Sequence, residues 1–136
     1  MKRRTFIGLA AATAAMPFAA KAQILDYTPG LVQDRLAKGE TVFLDFTATW
    51  CSTCRSQGRT IRALKDANPA YGEAVTFIDV DWDQYGRSEL AQSLKIPRRS
   101  TLVVLKGDQE LGRIVAQTGQ AQIQALMDTA LTAATA

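Results

Sequence analysis

The 136-residue sequence has no histidine, only two cysteines and four prolines, and an aromatic content of 7%. Without histidine there is no Ser/His or Cys/His nucleophile pair, no zinc site of mixed cysteine and histidine ligands, and no histidine-ligated haem. Two thiols are also too few for an all-cysteine zinc or iron–sulfur centre, which takes four. The uncharged stretch at residues 5–20 is alanine-rich and shorter than the roughly 20 residues of a bilayer span, so a permanent transmembrane helix is not expected. The length sets a ceiling of one compact domain. A composition with 47% hydrophobic and 21% charged residues is that of an ordinary globular chain, which excludes disorder as its main state.

The formal charge of +3 comes from the extreme N-terminus. Lys2, Arg3 and Arg4 precede the uncharged stretch, which ends at the small-residue triplet Ala20-Lys21-Ala22. This is the layout of an export signal, so residues 1–22 are expected to be removed and residues 23–136 to form the mature domain. Lys2-Arg3-Arg4-Thr5-Phe6-Ile7 resembles the twin-arginine signature, whose bearers leave the bacterial cytoplasm already folded. An ordinary Sec signal is the alternative, and either route places the protein in the periplasm. Four of the 16 basic residues lie in this segment; the remainder carries 12 against 13 acidic residues, which leaves no electrostatic footprint for nucleic acid.

The rest of the chain alternates short segments. Thr28-Pro29 reads as an N-cap with proline at the first helical position, opening a helix of about ten residues with Leu31, Val32 and Leu36 on one face and Gly39 as its stop. Residues 41–46 (TVFLDF) form a nearly continuous β-prone run, as in a central strand covered on both faces. A helix is expected from the cysteines to about Ala67, with Ile61 and Leu64 inward and Asn68-Pro69 as its stop. Residues 74–80 read as a second buried strand and 88–94 as a short helix with Leu90 and Leu94 inward. Residues 101–106 and 110–116 make a hairpin across Gly107-Asp108, and a final helix from Gln120 to about Ala133 turns Ile123, Leu126, Met127 and Leu131 inward. The order α-β-α-β-α-β-β-α predicts an α/β fold with a central mixed β-sheet flanked by helices.

Trp50-Cys51-Ser52-Thr53-Cys54 lies where the first central strand meets the second helix. At a helix start, Cys51 faces unpaired N–H groups and the positive dipole end, which favour thiolate over thiol. Cys54 is one turn deeper and can reach back to a mixed disulfide on Cys51, so the pair is competent for thiol–disulfide exchange. An inert crosslink is the bland alternative, but a bridge enclosing two residues removes little chain entropy.

From about Thr41 to Leu131 the sequence resembles the thioredoxin superfamily: Val42-Phe43-Leu44-Asp45-Phe46, then Thr47-Ala48-Thr49-Trp50-Cys51, looks like the family's strand leading into its Trp-Cys-x-x-Cys site. The resemblance implies a thioredoxin-like fold and a thiol:disulfide oxidoreductase that needs no cofactor. It also implies Cys51 as the attacking and Cys54 as the resolving thiol, with Asp45, at the family's buried acid position, exchanging a proton with Cys54. Trp50, Arg99, Ser100 and Gly119 would shape the substrate surface. The partners implied are protein or small thiol/disulfide substrates and, in an oxidising periplasm, a membrane-embedded electron donor. The lean is towards a reductase.

Two positions depart from the family pattern. Counting back from Thr101-Leu102, Ser100 stands where the family carries a cis-proline; a three-residue insertion would give that place to Pro97 instead. A non-proline cis bond costs about 2.5–4 kcal/mol, so a trans Arg99–Ser100 bond is expected. Asp79 falls where many members have a buried lysine, which would set two carboxyls close together; an edge or loop-facing aspartate is the alternative. Proline at Ser100's position is thought in this family to keep metals off the dithiol, so a Cu(I) or other soft-metal carrier is a rival reading. A redox-silent binding module is another. Arg98 and Arg99 flank this loop, either to meet an anionic partner or simply as a solvated pair.

Overall fold

The computed structural model describes residues 23–136; the expected export signal at 1–22 lies outside the described residues. Five strands form one mixed sheet in the order β1-β3-β2-β4-β5: β1 (Leu25–Asp26), β2 (Thr41–Thr47), β3 (Thr76–Asp81), β4 (Thr101–Lys106) and β5 (Gln109–Val115). β3 runs parallel to both β1 and β2, whereas β4 is antiparallel to β2 and to β5. The helices are α1 (Leu31–Ala37), α2 (Ser52–Ala67), α3 (Ala70–Ala74), α4 (Trp82–Tyr85), α5 (Glu89–Ser93) and α6 (Gln120–Thr135). The expected α/β architecture is the one found.

Strand alternation sorts the core into two layers. On one face Phe43, Phe77, Leu102 and Val104 pack with Ile61 and Leu64 of α2, Tyr71 of α3, and Ile123, Leu126 and Met127 of α6. On the other, Val42, Leu44, Phe46, Ile78 and Val80 pack with Val32 of α1 and Leu90 of α5. Six of the seven residues of β2 are buried, as its unbroken apolar run requires of a strand sandwiched between helices. Asp45 is the exception in chemistry. Its odd number puts it on the Phe43 face, beneath α2.

The short elements differ from the sequence expectation. α1 begins at Leu31, not at the Thr28-Pro29 pair: Leu31 N–H donates to Thr28 O (3.0 Å), closing a turn, and Gly30 precedes the helix at φ 90°, a conformation that suits glycine. Residue 74 ends α3, and the second strand starts at Thr76. α3 and α4, of five and four residues, are too short to display a helical period, and β1 has only two residues. β5 stops at Val115, because Ala116 takes a positive φ of 60°. Among the described residues no helix is long and apolar enough to cross a membrane.

Candidate active site

The end of β2 delivers Ala48–Trp50 to the first turn of α2. Cys51 is the N-cap of that helix in extended conformation, and its Sγ accepts the Cys54 N–H at 3.2 Å. The sulfur therefore takes the place of a capping oxygen at the positive end of a 16-residue helix. Both cysteines are free and buried, and with Ala48 and Trp82 they form a small apolar cluster of their own.

Opposite the sulfurs lies Ser100. Its Oγ is 3.3 Å from Cys51 Sγ and 3.0 Å from Cys54 Sγ, and the residue is fully buried. The bond before it is trans; among the described residues there is no cis peptide bond, so the reading of Pro97 as the cis residue is corrected. Ser100 instead adopts φ 63°, a left-handed conformation costly for any residue with a Cβ. Three hydrogen bonds hold it there. Ser100 N–H donates to Phe46 O (2.7 Å), while Ser100 O accepts from Ala116 N–H (2.9 Å) and Gln57 Nε2 (3.1 Å). Gln57 Nε2 also reaches Gln117 O at 2.9 Å, so one buried amide of α2 clamps the Ser100 loop to the chain beyond β5.

Burial alone would raise the Cys51 thiol, but hydrogen bonds from the Cys54 side chain, the Ser100 hydroxyl, the Cys54 amide and Arg99 outweigh it and bring it down to about 7. Cys54 moves the opposite way, raised by burial and then by its hydrogen bond to Cys51. The pair is thus split into one thiol ionised near neutrality and one that keeps its proton, the division of labour that attack and resolution require.

Behind Cys54, β1, β3 and β2 place three carboxyls in register, Asp26 beside Asp79 and Asp79 beside Asp45. They line a cleft of about 540 Å³ together with Cys54, Arg55 and Arg62. Burial first, and then the Asp79 charge, raise Asp45 well above the usual carboxylate range, and its Oδ1 has no hydrogen-bond partner among the described residues. Burial and the Asp26 charge raise Asp79 to about 6, against the pull of Arg62 and Lys65 from α2. Asp79 is neither edge-placed nor loop-facing; the positive charge that a lysine would bring on β3 comes from α2 instead.

Trp50 is 55% exposed, with its Nε1 hydrogen-bonded to both carboxylate oxygens of Asp83 on α4 (3.0 and 2.9 Å). The Arg99 guanidinium lies over its ring at 4.5 Å, so Arg99 is not a merely solvated charge. Gly119 is the N-cap of α6 at φ −63°; the residue that bonds Ser100 from that side is Ala116, not Gly119. Gln57 escaped the sequence reading, although its spacing with Cys54, Ile61 and Leu64 marks a polar residue on the buried stripe of α2. Asp83 carried no such signal. Among the described residues no three of Cys, Asp or Glu converge as a metal nest, so a soft metal would meet two thiols and no third ligand of those kinds.

The family model for thioredoxin matches residues 25–129, a span containing every group described above. The chain belongs to the thioredoxin family. A rice thioredoxin H2-2 is 36% identical over 74 residues, covering 54% of this chain and 51% of that protein. Thioredoxin-2 of Saccharomyces cerevisiae is 33% identical over 92 residues, covering 67% of this chain and 83% of the yeast protein. Among solved structures, Trxlp of Edwardsiella tarda superposes with a TM-score of 0.66 at 26% identity, over 76% of this chain and 98% of that one. The thioredoxin of Malassezia sympodialis does so with a TM-score of 0.63 at 27% identity, over 80% and 95%. By this membership the chain is a thiol:disulfide oxidoreductase, and Cys51 and Cys54 stand close together in it.

Proposed function

We propose that the protein is an exported, periplasmic thioredoxin that reduces disulfides. The observation that carries the reading is the buried pair itself, Cys51 at the mouth of α2 and Cys54 one turn below, both within reach of the Ser100 hydroxyl. The Cys51 thiolate attacks a substrate disulfide, forms a mixed disulfide and expels the first substrate thiolate. Asp45 takes the Cys54 proton; the Cys54 thiolate then attacks Cys51 Sγ, expels the second substrate thiolate and leaves a Cys51–Cys54 disulfide. Two electrons have passed to the substrate, and a dithiol donor must return them; in the periplasm that donor is fed through the membrane. Exposed Trp50 and the half-buried Arg99 stacked on it form the rim on which substrate docks.

Direction is argued from the thiol. A Cys51 near 7 matches the reducing thioredoxins, whereas strongly oxidising relatives hold their thiolate near 3.5, which stabilises the reduced form. Export rests on Lys2-Arg3-Arg4 and the segment to Ala22. Equilibrating the domain with glutathione or dithiothreitol buffers tests the first claim: a potential nearer about −270 mV than about −120 mV supports a reductant, and the reverse refutes it. Fractionation of cells carrying Arg3→Lys with Arg4→Lys tests the second. Retention in the cytoplasm is expected for a twin-arginine substrate; unchanged export assigns the Sec route, and parent protein found only in the cytoplasm refutes export.

A further inference from the structure

Among the described residues, Ser100 Oγ is the one side-chain oxygen hydrogen-bonded to both sulfurs, at 3.3 Å to Cys51 and 3.0 Å to Cys54. A hydroxyl has one proton and two lone pairs, so it can donate to only one sulfur at a time while accepting from the other. We propose that Ser100 is a catalytic residue whose single hydroxyl proton follows the negative charge, turned to Cys51 in the first half-reaction and to Cys54 in the second. The inference rests on the oxidoreductase reading above and deepens it.

Before substrate arrives, Oγ–H donates to the Cys51 thiolate and Oγ accepts the Cys54 S–H. Once Cys51 Sγ is bonded to substrate sulfur it carries no charge, and that role ends. Asp45 then takes the Cys54 proton, the serine hydroxyl rotates about its own C–O bond, and it donates to the new Cys54 thiolate. No covalent bond to Ser100 forms or breaks; in each half-reaction the electrons move only among three sulfurs, the one attacking, the one attacked and the one expelled. Proline, which stands here in the family that the sequence resembles, has no hydroxyl to offer.

The backbone is built to keep this oxygen in place. Ser100 N–H and O are both engaged, by Phe46, Ala116 and Gln57, so a left-handed residue is held with its side chain against the sulfurs. Strain maintained by surrounding bonds at a reacting centre is a mark of function. The other titratable and charged groups around the pair are Asp45 on β2, Asp79 and Asp81 on β3, Asp26 on β1, Arg55 and Arg62 on α2, Arg99 on the Ser100 loop, and Asp83 on α4 through Trp50.

Ser100→Gly is the discriminating variant, because glycine accepts φ 63° and deletes only the CH₂OH group; Ser100→Ala deletes the hydroxyl if the glycine chain does not fold, and Ser100→Thr retains it. Two quantities are read on the full chain: the pH profile of Cys51 alkylation, and the rate at which the second thiolate leaves a preformed mixed disulfide with an aromatic thiol. A lost hydrogen bond to a charged sulfur predicts an alkylation midpoint shifted upward and release slowed by about tenfold, both recovered in Ser100→Thr. Unchanged profile and rate in the hydroxyl-free variant overturn the proposal. So does a shifted profile with an unchanged rate, because the hydroxyl would then serve one sulfur alone. Parent protein that never releases the second thiolate refutes the oxidoreductase reading itself, a result separate from either.

Discussion

Asp79 is the residue whose neighbours assign it the clearest cost. Its carboxyl titrates near 6 in the fold and near 3.9 in an unfolded chain, so between those values the folded state holds a proton that the unfolded state has lost. Stability therefore falls as pH rises through about 4 to 6 and levels off above, the reverse of a salt-bridged aspartate. Asp79→Asn removes this penalty and is expected to raise stability at pH 7–8 by about 1–3 kcal/mol, with little gain at pH 4, as read by urea denaturation at each pH. It also deletes the charge that raises Asp45, so the pH midpoint of the resolving step should move downward; a midpoint that stays in place would remove Asp79 from the site's electrostatics. Asp45 was legible in the sequence as a carboxyl inside the apolar run TVFLDF, its role coming from the family resemblance and a hydrogen-bonded structural aspartate being the alternative. Asp79 was legible only as a misplaced residue. Which face it shares with Asp45 depends on strand register, and that is set by pairing between segments some thirty residues apart.

At the scale of elements, every segment with enough length to show its period was readable: β2, α2, the β4–β5 hairpin and α6 lie where their patterns place them. Of the pieces of five residues or fewer, α5 was read at 88–94 from its inward leucines, whereas β1, α3 and α4 were not, since their formation is dictated by the chain on either side. α4 is a case in point. It exists because Asp81 caps it through Asp83 N–H, and it is what carries Asp83 to the Trp50 indole. Gln57 shows the opposite dependence, a single side chain of α2 tying two loops together at Ser100 O and Gln117 O. Gln57→Ala leaves one acceptor site of the buried Ser100 carbonyl unpaired and releases the part-buried Gln117 carbonyl, and is expected to cost about 1–3 kcal/mol. It should also slow resolution of the mixed disulfide, measured as release of the second thiol, because the Ser100 loop loses its anchor. Full activity in Gln57→Ala would show that Phe46 and Ala116 suffice.

For the whole molecule, both core layers meet on β2, so damage to that strand is felt on each side of the sheet. Phe43→Ala should destabilise the fold by about 3–5 kcal/mol while leaving the dithiol chemistry intact below the melting temperature, read by thermal unfolding beside a turnover assay. All of the described core lies within residues 24–134, so a chain trimmed to residues 23–136 is expected to unfold in one transition and to exchange disulfides at the parent rate. The same arrangement has an optical consequence. The sequence has two tryptophans, and they flank the cysteines, Trp50 immediately before Cys51 and Trp82 packed against the cluster of Ala48, Cys51 and Cys54. Ultraviolet emission excited at the indoles therefore arises entirely from beside the redox centre, and because disulfides quench nearby indoles, each turnover should brighten or dim the protein without any dye attached.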